Sequence, residues 1–305
     1  MPVIVPPALP VRKSLEKENI FVMTEGRAQA QEIRPLSIGL LNLMPNKEET
    51  ELELLRLISN TPLQVEITLL QTATYRATHT PEEHLHSFYL TFEEAVSRGK
   101  KFDGLIITGA PVEQMDFKDV KYWDEIVGIM NWAEHNVFST MYICWGAIAA
   151  MYYFYGVEKV ALPKKLSGVY MHKSRNRSNP LVRNFDEYFA APHSRHSGID
   201  EKAARAVGDL DILAESKEAG IYLAASADHR RVFVLGHGEY DKYTLDGEYK
   251  RDVALGRDDV EKPVNYYGKD GKPILSWRAH SSLLMCNWLN YYVYQETPYD
   301  ISTIT

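Results

Sequence analysis

The chain has 305 residues, of which 45% are hydrophobic and 25% charged, which is typical of a globular protein and excludes collagen-like and coiled-coil chains. Its formal net charge of −7, from 34 Lys and Arg against 41 Asp and Glu, argues against a protein that binds nucleic acid by neutralising phosphates. Its two cysteines, Cys144 and Cys286, exclude a disulfide framework and favour a reducing cytoplasm.

The N-terminal segment differs in composition from the rest of the chain. Its first ten residues contain four prolines and no basic residue, so it lacks the pattern of a secretory signal. We expect residues 1–35 to form an arm packed on a main domain. We expect residues 36–305 to form that single domain, because no linker separates two independent units in this part of the sequence.

From residue 36 onward, strand and helix patterns alternate. Near-continuous apolar runs, typical of strands buried in a parallel sheet, occupy residues 37–43, 65–70, 105–108 and 137–143. Apolar residues at helical spacing occur at 52–58, 123–132 and 147–155. This alternation predicts an α/β fold with a mostly parallel sheet flanked by helices. Asn46 and Glu49 resemble a capping box at the start of the first helix.

The second half of the chain is less regular. Strands are predicted at 221–225 and 231–236, joined by a turn around Asp228, and an apolar helix is predicted over 282–294. The polar segment 241–275 is interpreted as a long excursion near a site. The basic segment 172–177 is interpreted as a solvated loop that could meet a phosphorylated ligand, and Cys286 as a core residue.

One uncharged stretch, residues 136–157, is long enough to cross a bilayer as a helix. Four tyrosines and Gly146 interrupt it, whereas a membrane span would be rich in Leu and Ile. Its first part is β-branched and aromatic, and its second part is helix-like. We therefore expect a buried strand followed by a buried helix, and no membrane partner.

The junction at Cys144 carries the main chemical signal. A lone cysteine in apolar surroundings is usually an inert core residue, but Cys144 lies where a predicted strand turns into a helix. Small residues, Gly146 and Ala147, follow it, as a nucleophile elbow requires. The thiol would then project at a helix N-terminus, which favours the thiolate. The N–H of Trp145 would face an acyl oxygen that develops negative charge.

A second signal is His237, which follows a predicted strand and is two residues from Glu239. Side chains at i and i+2 of an extended segment face the same way, so the carboxylate can orient the imidazole. An isolated pair of this kind would be a surface feature, but with Cys144 it predicts a Cys–His–Glu system. His193 and His196 lack further ligands at metal-binding spacing, so we expect no metal.

Four segments resemble, in chain order, the homoserine O-acyltransferases of bacterial methionine biosynthesis that have a class I glutamine amidotransferase-like, flavodoxin-like three-layer fold. They are residues 41–47, 109–113, 143–147 and 237–239. The chain departs from glutaminases at Tyr142, where their elbow usually has glycine. The resemblance implies a cytoplasmic enzyme that uses L-homoserine and acetyl-CoA, has no bound cofactor, and allows a homodimer.

The resemblance also implies roles for individual residues. Cys144 corresponds to the residue that carries the acyl group as a thioester, His237 to the proton acceptor, and Glu239 to its partner. Glu113 falls where the family distinguishes acyl donors, with Glu for acetyl-CoA and Gly for succinyl-CoA. The family's substrate-binding positions correspond to Lys165, Ser194 and Arg251.

The acetyl preference has a physical reason. The distal carboxylate of succinyl-CoA would approach Glu113, and at about 4 Å and an effective dielectric near 20 the repulsion is about 4 kcal/mol. Four alternatives stay open at this point. They are transfer from succinyl-CoA, a similar amino alcohol such as serine as the acceptor, glutamine amide hydrolysis, and a binding protein with a non-catalytic cysteine.

Overall fold

The computed structural model describes residues 3–18, 20, 22–23, 25–29, 34–75 and 79–304. The strands of the described residues are β1 (Val3–Ile4), β2 (Val22–Met23), β3 (Leu36–Leu41), β4 (Val65–Gln71), β5 (Tyr89–Thr91), β6 (Phe102–Ile107), β7 (Val137–Ile143), β8 (Lys159–Ser174), β9 (Tyr188–Ile199), β10 (Leu210–Ser216), β11 (Gly220–Ser226) and β12 (Arg231–Val234). They form one twelve-stranded sheet in the order β2-β1-β4-β3-β6-β7-β12-β11-β10-β8-β9, with β5 beside β4.

The helices lie between these strands. The α-helices of the described residues are α1 (Val11–Lys17), α2 (Glu25–Gln29), α3 (Lys47–Ile58), α4 (Glu82–Phe88), α5 (Phe92–Ser97), α6 (Trp123–Asn136), α7 (Trp145–Tyr155), α8 (Glu201–Ala206), α9 (Thr244–Ala254) and α10 (Arg278–Asn287). A π-helical segment, Trp288–Tyr294, continues α10. Short 3₁₀ turns occur at Phe117–Asp119, Pro180–Val182 and Ile301–Thr303.

The sheet changes from parallel to antiparallel along its length. Strands from β2 to β12 in the spatial order pair in parallel, and β11, β10, β8 and β9 continue it in antiparallel fashion. Two apolar cores lie on opposite faces, because successive strand residues point to opposite sides. In β7, for example, Met141 and Ile143 belong to one core and Tyr142 to the other. The predicted mostly parallel sheet flanked by helices is confirmed.

The described residues of the N-terminal arm take part in this sheet. Val3 of β1 pairs with Val65 of β4, and β2 pairs with β1. Helix α1 buries Val11 and Leu15 in the core that also contains residues of α3. That residues 36–305 form a single domain stays a prediction.

The predicted capping box at the start of α3 is not formed. Asn46 does precede the helix, but its Nδ2 donates to Glu49 Oε2 at 3.0 Å and its side chain accepts no hydrogen bond from the helix. The amide of Lys47 donates instead to Thr80 Oγ1 at 3.0 Å. A tertiary partner therefore satisfies the first amide of the helix.

The interpretation of 172–177 as a solvated loop was wrong at its start. His172 and Ser174 are buried in strand β8, and the His172 ring lies against the ring of Tyr222. Cys286 also differs from the prediction, since it is only half-buried, and its thiol donates to the carbonyl of Asn60 at 2.9 Å. The excursion at 241–275 contains helix α9, which the sequence did not predict.

The uncharged stretch 136–157 divides into β7 and α7, as predicted. Among the described residues, no helix combines the length and apolar character that a bilayer crossing requires.

Candidate active site

Cys144 occupies a sharp turn between β7 and α7. Its backbone has φ 50° and ψ −114°, in the left-handed half of φ space that non-glycine residues rarely adopt. Its N–H donates to Val234 O at 2.7 Å, and its carbonyl accepts from the N–H of Ile148 at 3.1 Å. The residue is 6% exposed. These contacts hold the strained turn and fix the direction of the thiol.

Two glycines allow this turn to pack closely. A Cβ at Gly146 would lie 2.8 Å from Thr108 O and 3.0 Å from Ile107 O, so the first turn of α7 abuts the end of β6. A Cβ at Gly109 would lie 3.3 Å from the Cys144 Cβ and 3.7 Å from His237 Cε1. The Gly109 backbone therefore lies directly against both of these side chains.

His237 and Glu239 form a buried pair beside the thiol. The His237 Nδ1–H donates to Glu239 Oε1 at 2.7 Å, which leaves the other ring nitrogen for the Cys144 thiol. Both the ring and the thiol lie within 4 Å of the Cβ position of Gly109. Burial by itself lowers the pKa of His237, but the charges of Cys144 and Glu239 outweigh it and raise that pKa well above its usual value. The Tyr240 ring stacks on the imidazole with centroids 4.2 Å apart.

A cavity of about 300 Å³, called here the central cavity, opens beside this group. Six of the eight site residues predicted from the sequence line it: Cys144, His237, Glu113, Lys165, Ser194 and Arg251. The other two, Glu239 and Trp145, lie behind its wall. Glu239 is the partner of His237, and Trp145 is the first residue of α7, where a backbone N–H has no acceptor within its own helix. The oxyanion role of Trp145 stays a prediction.

Charged side chains cover the wall that faces away from the sheet core. The Lys165 Nζ donates to Asp252 Oδ2 at 2.7 Å, and the Arg251 Nε donates to Asp252 Oδ1 at 2.9 Å. Arg251 keeps 60% of its side chain exposed. Ser194 donates a hydrogen bond to Glu248, whose other oxygen accepts from the Tyr240 hydroxyl at 3.0 Å.

Glu113 also lines the central cavity and lies in the turn that follows β6. Its Oε2 accepts the N–H of His196 at 2.7 Å, and the side chain is half-buried. This contact directs the carboxylate toward β9. Glu113 lines the same cavity as Cys144, and its role in donor selection stays a prediction.

Sequence reasoning missed three residues at this site, namely Tyr240, Glu248 and Asp252. Glu248 and Asp252 lie on α9, within the segment interpreted as an excursion. The available signal was the spacing of Leu245, Glu248 and Asp252, which is that of one helix face. The apolar content of that face is too low to indicate a helix by itself.

A sequence model of the homoserine O-succinyltransferase family matches residues 2–299. The chain belongs to this family. Proteins named homoserine O-acetyltransferase are similar over their full length. That of Lachnoclostridium phytofermentans is 54% identical and covers 99% of this chain and 100% of its own. Those of Acetivibrio thermocellus, at 52% identity with 100% of both chains covered, and Brevibacillus brevis, at 53% with 99% of both covered, are also similar.

Solved structures place the family's fold among glutamine amidotransferases, as predicted. A glutamine amidotransferase from Thermotoga maritima has a TM-score of 0.54 at 12% identity, and 85% of this chain and 98% of that chain are covered. One from Methylobacillus flagellatus has a TM-score of 0.52 at 9% identity, with 85% and 95% covered. At these identities the likeness shows the fold alone.

Proposed function

We propose that this family member is a homoserine O-acetyltransferase of methionine biosynthesis, which transfers acetyl from acetyl-CoA to the hydroxyl of L-homoserine through a thioester on Cys144. The observation that carries the proposal is the buried Cys144–His237–Glu239 arrangement at a strained strand–helix turn. Supporting it, relatives at 52–54% identity are named for this activity. The protein acts in the cytoplasm without a bound cofactor.

In the first half-reaction, the Cys144 thiolate attacks the thioester carbon of acetyl-CoA. The C–S bond to CoA breaks, and the leaving CoA thiolate takes a proton from the His237 imidazolium. One thioester replaces another, so this exchange costs little free energy. The Trp145 N–H and an N–H of the loop 109–112 donate hydrogen bonds to the oxyanion of the tetrahedral intermediate.

In the second half-reaction, the homoserine hydroxyl attacks the acetyl-Cys144 thioester. Neutral His237 takes the hydroxyl proton, the C–O bond forms, and the Cys144 thiolate leaves. Glu239 stabilises the imidazolium that results. The products are O-acetylhomoserine and free enzyme, so ping-pong kinetics follow.

The charged wall of the central cavity suits a zwitterionic acceptor. Arg251, whose side chain is 60% exposed, binds the α-carboxylate in a bidentate geometry that lysine lacks. Glu248 accepts hydrogen bonds from two hydroxyls and offers its charge to the α-ammonium. Lys165 and Ser194 complete the site by holding Asp252 and Glu248 in place.

The choice of acyl donor rests on Glu113. The family model is named for succinyl transfer, whereas the similar relatives are named for acetyl transfer. A carboxylate on the rim of a confined cavity repels the distal carboxylate of a succinyl group and occupies the space that the longer chain needs. Acetyl-CoA is therefore the donor.

The direct test measures CoA release for acetyl-CoA and succinyl-CoA, each with homoserine, serine or no acceptor. The expected result is rapid release only for acetyl-CoA with homoserine. Faster turnover with succinyl-CoA would reject the donor, and faster turnover with serine would reject the acceptor. The same protein incubated with glutamine is expected to release no ammonia.

A further inference from the structure

Three cavities that share lining residues, called here the groove, form a row that begins at Cys144. A cavity of about 440 Å³ shares Met44, Pro45, Tyr240, Glu248 and Arg251 with the central cavity. A third cavity, of about 520 Å³, shares Arg56 and Asp241 with the second. Glu113 borders only the central one of these three. Neighbouring cavities of this row therefore lie side by side, from Cys144 to Arg56.

One face of α3 forms the floor of this groove. The lining residues recur at helical spacing and comprise Asn46, Glu49, Thr50, Glu53 and Arg56. From Asn46 to Arg56 this face spans about 15 Å at the α-helical rise per residue. The pantetheine arm of CoA has a backbone of roughly the length of four to five extended residues, which is also about 15 Å.

Two guanidinium groups lie at the far end of the groove. Arg56 binds Glu18 through Nε and Nη2, while its Nη1 is buried without a hydrogen bond and lies 3.5 Å from Asp241. Arg56 keeps only 10% of its side chain exposed. The Arg278 Nε is also buried without a hydrogen bond, and its Nη2 lies 4.0 Å from Asp241. Those two nitrogens are shielded from solvent, so an anion would contact the other N–H groups of Arg278, whose side chain is 25% exposed.

Acids neutralise the two cations at this place to different extents. Burial and the charge of Arg56 lower the pKa of Arg278 by more than Asp241 and Glu18 raise it, whereas the hydrogen bond with Glu18 raises the pKa of Arg56. Arg278 is therefore the less neutralised of the two. Arg278 is also the first residue of α10, whose N-terminus carries partial positive charge. Among the acids of the groove, Glu53 is largely neutral near pH 7, because burial and the charge of Glu239 raise its pKa to about 8.

We propose that this groove binds the CoA portion of the acyl donor, with the pantetheine arm along α3 and the phosphates at Arg56 and Arg278. The assignment rests on the proposed function, because a thioester donor must place its acyl group and its thiol on different sides of the reacting carbon. The acyl group faces Glu113, so the CoA sulfur leaves toward Met44 and Pro45. Tyr240, Glu248 and Arg251 border both cavities, which suits two substrates that bind in turn.

The experiment compares a full donor with one that lacks the nucleotide. Steady-state kinetics are measured with acetyl-CoA and with S-acetylpantetheine, at saturating homoserine, for the wild type and Arg278→Gln. Arg183→Gln serves as the matched control, since Arg183 is exposed and packs over the ring of Tyr291. Ser282→Glu, which adds a carboxylate to the wall of the third cavity, provides a second variant with the arginines intact.

Arg278→Gln is expected to raise the KM for acetyl-CoA about tenfold, the size of one lost charge-assisted contact, with kcat unchanged. The KM for S-acetylpantetheine should stay within twofold in every variant, and Ser282→Glu should act on acetyl-CoA in the same direction. The assignment would be overturned if the KM for acetyl-CoA did not change in Arg278→Gln, or if the KM rose by the same factor for both donors. If the wild type transfers acetyl from neither donor, the proposed function itself fails, and the groove assignment fails with it.

Discussion

At the scale of single residues, the site depends on the conformation of Cys144. A φ of 50° costs free energy for a side chain with a Cβ, and the contacts to β12 and α7 maintain it. The charges of Cys144 and Glu239 raise the pKa of His237 well above its usual value, which favours the imidazolium form beside Cys144. An imidazolium can protonate a leaving CoA thiolate.

The proposed donor selectivity also rests on a single residue, Glu113. In Glu113→Gly the charge and bulk at the rim are lost, so the ratio of kcat/KM for succinyl-CoA to that for acetyl-CoA is expected to rise tenfold or more. Gln114→Gly is the control, because it removes a neighbouring uncharged side chain that lines the same cavity. An unchanged ratio in Glu113→Gly would contradict the role given to this carboxylate.

At the scale of elements, the contact between α7 and the end of β6 positions the thiol. Gly146 lies in the first turn of α7, where a Cβ would meet the carbonyl oxygens of Ile107 and Thr108 at 3.0 Å or less. Backbone carbonyls cannot move aside as a flexible side chain can. Any side chain at this position must therefore displace the helix and Cys144 with it.

Gly146→Ala is expected to lower the free energy of unfolding by about 1–3 kcal/mol, as overpacking does, and to lower kcat/KM by more than the unfolded fraction explains. Gly128→Ala in α6 is the control, because nothing lies within 4 Å of its Cβ position and alanine is the better helix former. Urea unfolding and acyl transfer measure both effects. If Gly146→Ala and Gly128→Ala had the same free energy of unfolding and the same kcat/KM, α7 would not pack as described.

The elements that the sequence predicted are those with continuous apolar runs. Strands such as β4 and β7 are buried on both faces. Most residues in them are therefore apolar, and such a run is visible in the sequence. Strands β8 and β9 escaped prediction because buried polar side chains, including His172, Ser194 and Arg195, occupy them. Their polarity is compensated by partners distant in sequence, such as Ala219 O, which accepts from Arg195 at 2.7 Å.

For the candidate site, the sequence allowed prediction of the residues that follow strand ends, namely Cys144, His237 and Glu239. Glu248 and Asp252 could not be reached in the same way, because their role depends on how α9 packs over the cavity. No local pattern specifies which face of a mostly polar helix points to a site.

At the scale of the whole molecule, buried ionisable groups link stability to pH. His172 is fully buried, and its Nε2 lies 2.9 Å from His193 Nε2. Burial lowers the pKa of His172 to about 4, and it also lowers the pKa of His193. Between the usual histidine pKa of about 6.5 and pH 4, these two histidines are therefore protonated in the unfolded chain but stay neutral in the folded protein. Stability falls with acid in this window.

The free energy of unfolding is expected to fall by a few kcal/mol between pH 7 and pH 4.5 through these two histidines. In His172→Gln part of this dependence should disappear, whatever the absolute stability of the variant. Urea unfolding of both proteins at several pH values measures the slopes. Parallel pH profiles for wild type and variant would refute the contribution of His172.

The most direct test of the central claim is the intact mass of the protein after incubation with acetyl-CoA in the absence of homoserine. We predict one acetyl group per chain, located on Cys144, released on addition of homoserine, retained in Cys286→Ser and absent in Cys144→Ser. Acetyl transfer to homoserine that proceeds in Cys144→Ser, or an acetyl group found on Cys286 alone, would contradict the thioester mechanism.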